Sequence, residues 1–460
     1  MSAAADQPYR ALGEFAAGAR LADVPDDVVA FSRLLLVDTL GALLGGLRYP
    51  PVRALARALA ADGGPDAGPP SGALIALGTA ATWLDADSGG SFHPQGHRLP
   101  PVPTAHPAPH ALPVLLQAAA AGEVGDRRAL EVFLVASEVG LRGGTATSLR
   151  PGMHPHGVHG PAAAALVEVL LHDGSAEELT HAFLLGSALP LAATLAVPVH
   201  GGTVRNLWTG LGAYYGALAG RRVREAGARG SADTYRALFD SAVCTDLSGE
   251  ELAGGLGRRW QLASSYLKPY ACARWIQPAL DAVLAATDGR PPAPAEIAAV
   301  EVRTFAFAAA LDAVDVRSDL HARFSLPYCV ATLLTDGALD AGSFLPGQLA
   351  RPDVAELARR VSVRELPEFS AALPVDRPAE VTIRARDGRT WTATTRNARG
   401  NPATPLSRPE VEAKFRRNVG DLVAPALRDA ALDALLDPGP GDGDALGAVA
   451  RAVLGDLAVP

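Results

Sequence analysis

Ala299-Val300-Glu301-Val302-Arg303-Thr304-Phe305 sets Val300, Val302 and Thr304 on one side and Glu301 and Arg303 on the other. That period of two is the signature of a half-buried strand. Residues 361–364 are a short second candidate. Residues 381–386 and 390–395 flank Asp387-Gly388-Arg389, which reads as a hairpin with a glycine-containing turn. Helical stretches such as 353–360 separate these strands, so the segment has the character of an α+β domain.

Outward from this segment the pattern changes. Upstream of about residue 266 the chain reads as helices. Pro25 suits a helix start, with Asp26 and Asp27 in the first turn, and the apolar run 31–47 ends near Gly45-Gly46, a stop signal. Pro161 opens an alanine-rich helix. Ser175 with Glu178, and Ser407 with Glu410, form capping boxes. The expected fold is mainly α plus α+β. A large helical domain formed by both termini (1–265 plus 400–460) would carry a smaller inserted α+β domain (266–399). A chain of 460 residues is too long for one ordinary core, which agrees with two domains.

Composition narrows the function. A net charge of −8 without a basic stretch argues against a nucleic-acid partner. Residues 1–10 lack the charged start and apolar core of a signal peptide. Apolar runs are interrupted by Gly, Asp, His or Pro, so none reads as a membrane span and the expected location is the cytoplasm. Cys244, Cys272 and Cys329 are odd in number and widely spaced, which excludes a disulfide framework, a structural zinc site and an iron–sulfur run. Of 41 basic residues only Lys268 and Lys414 are lysines. Arginine cannot replace lysine where a compact ammonium is needed, so both positions merit attention.

Four clusters could carry chemistry. Residues 83–113 hold Asp85, Asp87, His93, His97, His106 and His110 among Gly and Pro. Such an irregular segment suits a functional loop, and histidine suits proton transfer. Pro94 and Gly96 argue against a helical metal pair at His93 and His97. Those two and His110 are expected to hold loop carbonyls. The second cluster, Met153-His154-Pro155-His156-Gly157-Val158-His159-Gly160, precedes the Pro161 helix, whose first amides could bind an anion. His156 and His159 also fit a plain surface turn. The third, Lys268-Pro269-Tyr270-Ala271-Cys272-Ala273-Arg274, lies at the expected domain boundary, a common place for a cleft. The fourth is Arg323-Phe324-Ser325-Leu326-Pro327-Tyr328, where Tyr328 also fits a core residue with one satisfied bond.

The order and spacing of these segments resemble the MmgE/PrpD family. Leu36-Val37-Asp38-Thr39-Leu40-Gly41, Leu84-Asp85-Ala86-Asp87 with His106-Pro107, Gly152-Met153-His154-Pro155, Lys268-Pro269-Tyr270, Phe324-Ser325-Leu326-Pro327-Tyr328, and Pro405-Leu406-Ser407 with Lys414-Phe415 carry the resemblance across nearly the whole chain. It implies a homodimer acting on a small carboxylate substrate between domains, with no metal and no organic cofactor. It implies Asp85, His106, His154, Lys268 and Tyr328 as catalytic residues, with Arg205, Cys272, Arg274 and Ser325 near the substrate. Departures include the Ser88-Gly89-Gly90 loop, Arg205 where the family has Lys, Ala273 and Gln277. The expected chemistry is dehydration of a β-hydroxy di- or tricarboxylic acid or a carboxylated specialised metabolite. Epimerisation and decarboxylation are the alternatives, and a catalytically silent carboxylate-binding protein is the non-enzymatic one.

Overall fold

In the computed structural model, residues 3–62, 71–92, 102–103, 105–190, 193–439 and 441–458 are described. His93 and His97 lie outside them.

Helix Asp26–Leu47 is buried along nearly its whole length from Leu35 onward. Its apolar stretch is long enough to cross a membrane, but here protein covers it. Helices Ser71–Trp83, Ala108–Ala120 and Arg408–Val419 pack around it. The last of these comes from the C-terminal part, so both ends of the chain share one core. Helix Arg408–Val419 starts with the expected capping box at Ser407 and Glu410, and helix Ala176–Gly186 with that at Ser175 and Glu178. Pro161 occupies the first turn of Gly160–Leu170. Gly45 and Gly46 are inside their helix rather than beyond it. A Cβ on Gly46 would lie 2.1 Å from the Ala80 carbonyl oxygen, so glycine serves close helix packing there.

Helix Val204–Ala226 crosses Ser71–Trp83 at another such approach. A Cβ on Gly78 would meet the Gly210 Cα at 2.7 Å, and one on Gly210 the Ile75 carbonyl oxygen at 2.2 Å. This crossing sets Thr82 and the loop after it against Arg205 and Asn206, on the first turn of the second helix.

A four-stranded sheet lies within residues 297–395. Its order is Val361–Glu365, Ile297–Thr304, Ala379–Ala385, Thr390–Thr395; the first pair is parallel and the others antiparallel. Val300, Val302 and Thr304 face inward as their alternation requires. Helix Gln277–Ala286 packs on the two hairpin strands. The helical reading of the first 260 residues missed several short strands. Gly89–Phe92 pairs with Val102–Pro103 and with Ser265–Tyr266, and Thr147–Leu149 pairs with Cys244–Leu247. These pieces are two to four residues long, too short to show a period.

The Gly78–Gly210 crossing generates a test. Gly210→Ala forces two helices apart against backbone atoms and is expected to cost about 1–3 kcal/mol, the usual range for overpacking. Urea unfolding measures it, and a change under about 0.5 kcal/mol would refute the close-packing account.

Candidate active site

Helix Ser71–Trp83 runs into the acidic loop, which is held by its carbonyls. Leu84 O accepts from Arg323 Nη1 at 3.0 Å, Asp85 O from Lys268 Nζ at 2.8 Å, and Ala86 O from Lys414 Nζ at 2.9 Å. Three consecutive carbonyls thus meet three buried cations from distant segments, two of them the only lysines in the chain. Asp85 has φ +49°, a left-handed conformation that a side chain adopts at a cost. Its carboxylate bonds Lys268 Nζ at 3.0 Å and Arg205 Nη2, and Arg205 also reaches Thr82 O. Lys414 Nζ completes its bonding with Asp38 Oδ1 at 2.6 Å.

Asp87 is the most enclosed member. Its Oδ2 lies 3.0 Å from His106 Nδ1 and 3.2 Å from His156 Nε2; its Oδ1 lies 3.7 Å from Arg205 and 3.9 Å from Lys268. Burial pushes the Asp87 carboxyl up, but Lys268 and the two imidazoles outweigh it and hold the group well below the usual carboxylate range. Burial likewise pushes Lys268 down, and Asp85 and Asp87 reverse that, so its ammonium is retained.

The histidine tautomers follow from their partners. His106 Nδ1 faces two acceptors, Asp87 Oδ2 and Ser88 O at 2.7 Å, so Nδ1 carries the proton and Nε2 is the free base nitrogen. His154 Nδ1 accepts the His156 backbone N–H at 3.2 Å, so neutral His154 carries its proton on Nε2. Burial, then Arg205, hold His154 well below the normal imidazole range. His154 is therefore a neutral hydrogen-bond donor rather than an acid.

These groups line a cavity of about 340 Å³. Asp85, His106, His154, Arg205, Lys268 and Arg274, all expected from the sequence, are on its wall. Tyr266 divides it. The ring is 6.3 Å from that of His106, edge-on, and lies 3.6 Å beneath the Arg274 guanidinium. Burial pushes Arg274 down to about 9. Arg377 completes this arginine end. Gly89 pairs with Tyr266, and a Cβ there would lie 2.5 Å from the Tyr266 hydroxyl and 2.7 Å from His106 Cε1. The glycines of the unusual loop leave room for both rings.

Three expected site residues are placed elsewhere. The Tyr328 hydroxyl lies 3.5 Å from Ser343 O and 3.4 Å from Gln348 O, away from the cavity wall. Ser325 caps helix Leu326–Asp336, accepting from Tyr328 N at 3.0 Å, and that commitment turns the following residues into the core. Cys272 is fully buried behind Ala273, its thiol pushed well up by burial and by Cys329. The start of helix Gly160–Leu170 offers no anion site. The His110 ring fills it, within 2.1 Å of a Gly160 Cβ. His110 Nδ1 bonds the His106 carbonyl at 2.9 Å, as expected. His156 and His159 are buried rather than on a surface turn; His159 Nε2 meets Thr147 Oγ1 at 3.0 Å. Gln277 Nε2 ties the Tyr270 and Cys272 carbonyls at 3.2 and 3.0 Å. Sequence reasoning passed over Asp87, His156, Tyr266 and Arg377 as site residues. Alternation was the available signal for three of them, since each stands two residues from an expected site residue. Arg377 had none.

Asp87, His106 and His156 present ligand atoms within 4.8 Å of one another, a set that could hold a metal ion. Both imidazole nitrogens, however, converge on the single oxygen Oδ2 at hydrogen-bond distance, and Arg205 and Lys268 stand at the other oxygen. A divalent ion would sit against those two cations. The arrangement fits a buried carboxylate whose charge is met by flanking imidazoles and cations better.

Two tests follow. Lys414→Met leaves Asp38 buried without its partner and is expected to cost about 3–5 kcal/mol, with Asp38→Asn in the same chain recovering much of it. Denaturant titration of both variants decides; a single variant as stable as the parent contradicts the strut. The second test is acid lability. Burial lowers His110 to about 4 and His159 to about 3, and holds His154 and His156 well below the normal imidazole range. The unfolded chain takes up these protons near 6.5 while the folded one does not. Stability is therefore full above about pH 6.5 and is lost as pH falls toward 4, by roughly 1.4 kcal/mol per pH unit for each histidine. A melting temperature flat between pH 6.5 and 4.5 would contradict this.

Comparison with known proteins agrees with the architecture. The MmgE/PrpD N-terminal domain model matches residues 10–209, and the MmgE/PrpD C-terminal domain model matches 270–438. Human cis-aconitate decarboxylase is 31% identical over 111 residues, which is 23% of this chain and 22% of that protein. The mouse cis-aconitate decarboxylase is 30% identical over 106 residues, with the same coverage. The chain thus spans about a fifth of the length of these relatives. Two domain models that together cover most of the chain, joined to a cavity lined by the motif residues, establish that this protein belongs to the MmgE/PrpD family.

Proposed function

We propose that the protein is a cofactor-independent hydro-lyase acting on a β-hydroxy di- or tricarboxylic acid or a carboxylated specialised metabolite. The supporting observation is His106 on the same cavity wall as Lys268, with the buried Asp87 carboxylate 3.0 Å behind its Nδ1. A histidine with Nδ1–H on a buried carboxylate is a base at Nε2, and its imidazolium is stabilised once formed.

In this reading His106 Nε2 takes the proton from the carbon beside a carboxylate. The C–H electron pair passes into an enolate-like dianion, whose charge Lys268 meets with the ammonium proton not used by Asp85. The C–O bond to the β-hydroxyl then breaks. The leaving hydroxide takes the proton back from the His106 imidazolium, and an alkene and water result. His154 donates its Nε2–H as a hydrogen bond to a substrate oxygen. Its depressed basicity makes it a poor store for a proton, so one histidine serves as base and then acid. Arg205 is spent on Asp85 and Thr82, and its part is to keep the acidic loop in place.

Decarboxylation is the second reading, favoured by the likeness to cis-aconitate decarboxylase. There the His106 imidazolium would protonate the carbanion left by departing carbon dioxide.

The experiment is incubation of the full chain with a panel of citrate-like acids, read by mass spectrometry. Loss of water supports the hydro-lyase and loss of carbon dioxide the decarboxylase. Deuterium uptake from heavy water at unchanged composition indicates epimerisation. On the active substrate, His106→Gln is expected to lower kcat by about 10²–10⁴-fold with little change in KM. Undiminished turnover by that variant would remove His106 as the base.

A further inference from the structure

We propose that Arg377 is a specificity-determining residue that binds a second anionic group of the substrate, remote from the reacting carboxylate. The proposal rests on the cavity being the reaction site, and it adds a requirement that the histidine end does not impose.

Charge on the wall is unbalanced. Among the described residues, Arg150, Arg205, Lys268, Arg274 and Arg377 line the cavity against one carboxylate, that of Asp85. Arg205 and Lys268 are the two cations bonded to it. Two of the others are neighbours: Arg274 lies over the Tyr266 ring, and Arg377 stands near enough to lower Arg274 electrostatically.

Arg377 is placed firmly and left chemically open. Its backbone N–H is shared between Arg396 O at 3.2 Å and Asn397 Oδ1 at 3.1 Å, which fixes the chain just before strand Ala379–Ala385. The adjacent Asp376 carboxylate is already engaged by Arg396 Nε and Asn397 Nδ2, each at 2.7 Å. Among the described residues, the Arg377 guanidinium has neither an ion pair nor a side-chain hydrogen bond, although burial is strong enough to lower its pKa. Arg377 is only partly buried, so its guanidinium stays reachable from the cavity and, among the described residues, has no protein partner to give up. A planar donor fork facing a cavity matches a carboxylate, which would accept two parallel N–H bonds.

The test uses equilibrium binding, so it does not depend on which bond the enzyme breaks. Tricarballylate has no hydroxyl to eliminate, and its monoamides lose one charge at constant shape. By calorimetry, the parent chain is expected to bind the triacid about 10-fold or more tightly than its least favourable monoamide. In Arg377→Gln that preference should fall to about 2-fold or less, while Arg377→Lys retains part of it. The melting temperature of ligand-free Arg377→Gln should stay close to that of the parent, because the guanidinium has no bond to lose. A preference unchanged in Arg377→Gln, or no binding of tricarballylate by the parent chain, overturns the proposal. A collapsed preference in a protein that eliminates no water keeps the subsite and discards the hydro-lyase reading. Elimination with an unchanged preference does the reverse.

Discussion

Two carboxylates, Asp85 and Asp87, are buried within three residues of one another, and the rest of the fold can be understood as what makes that tolerable. Removing such ions from water costs several kcal/mol each unless opposite charge and hydrogen bonds surround them. Here Arg205, Lys268 and two imidazoles do so, while Arg323, Lys268 and Lys414 bind the successive carbonyls of residues 84–86. The cations come from segments more than 100 residues away. The acidic loop can adopt this form only after the helical core, the 265–274 segment and the C-terminal helix have met.

The same charge arrangement sets the chemistry. Asp87 stays ionised, and with Ser88 O it orients His106 so that Nε2 is the base nitrogen. Arg205 lies close enough to disfavour a cation on His154, so the second imidazole remains neutral. Two histidines that look equivalent in a sequence are thereby given different parts. Tyr266 stands between His106 and Arg274 on the same wall.

Parts of this were legible beforehand. The strand at 297–304, the hairpin, both capping boxes and the Pro161 helix follow from local rules, because alternation, turn chemistry and caps act within a few residues. Scarcity of lysine pointed correctly to Lys268 and Lys414 as positions of interest, and both ends meet the acidic loop. Gly45-Gly46 was readable as punctuation but not as packing, since the atom that needs the space belongs to Ala80. Ser325 and Tyr328 carry a family motif, yet here the serine acts as a helix cap and the tyrosine hydroxyl faces carbonyls of residues 343 and 348.

What the sequence determined alone is the family, the mixed helical and α+β character and the residue types from which acid–base chemistry is built. Each depends on patterns confined to short stretches or on their order along the chain. Only the tertiary structure decided that Asp87 orients His106, that His154 is the donor, that Tyr266 rather than Tyr328 faces the cavity, and that Arg377 stands there without a partner. Those facts depend on protonation and charge, which are fixed by burial and by neighbours that only packing brings together. Such neighbours have no address in sequence until the chain has packed.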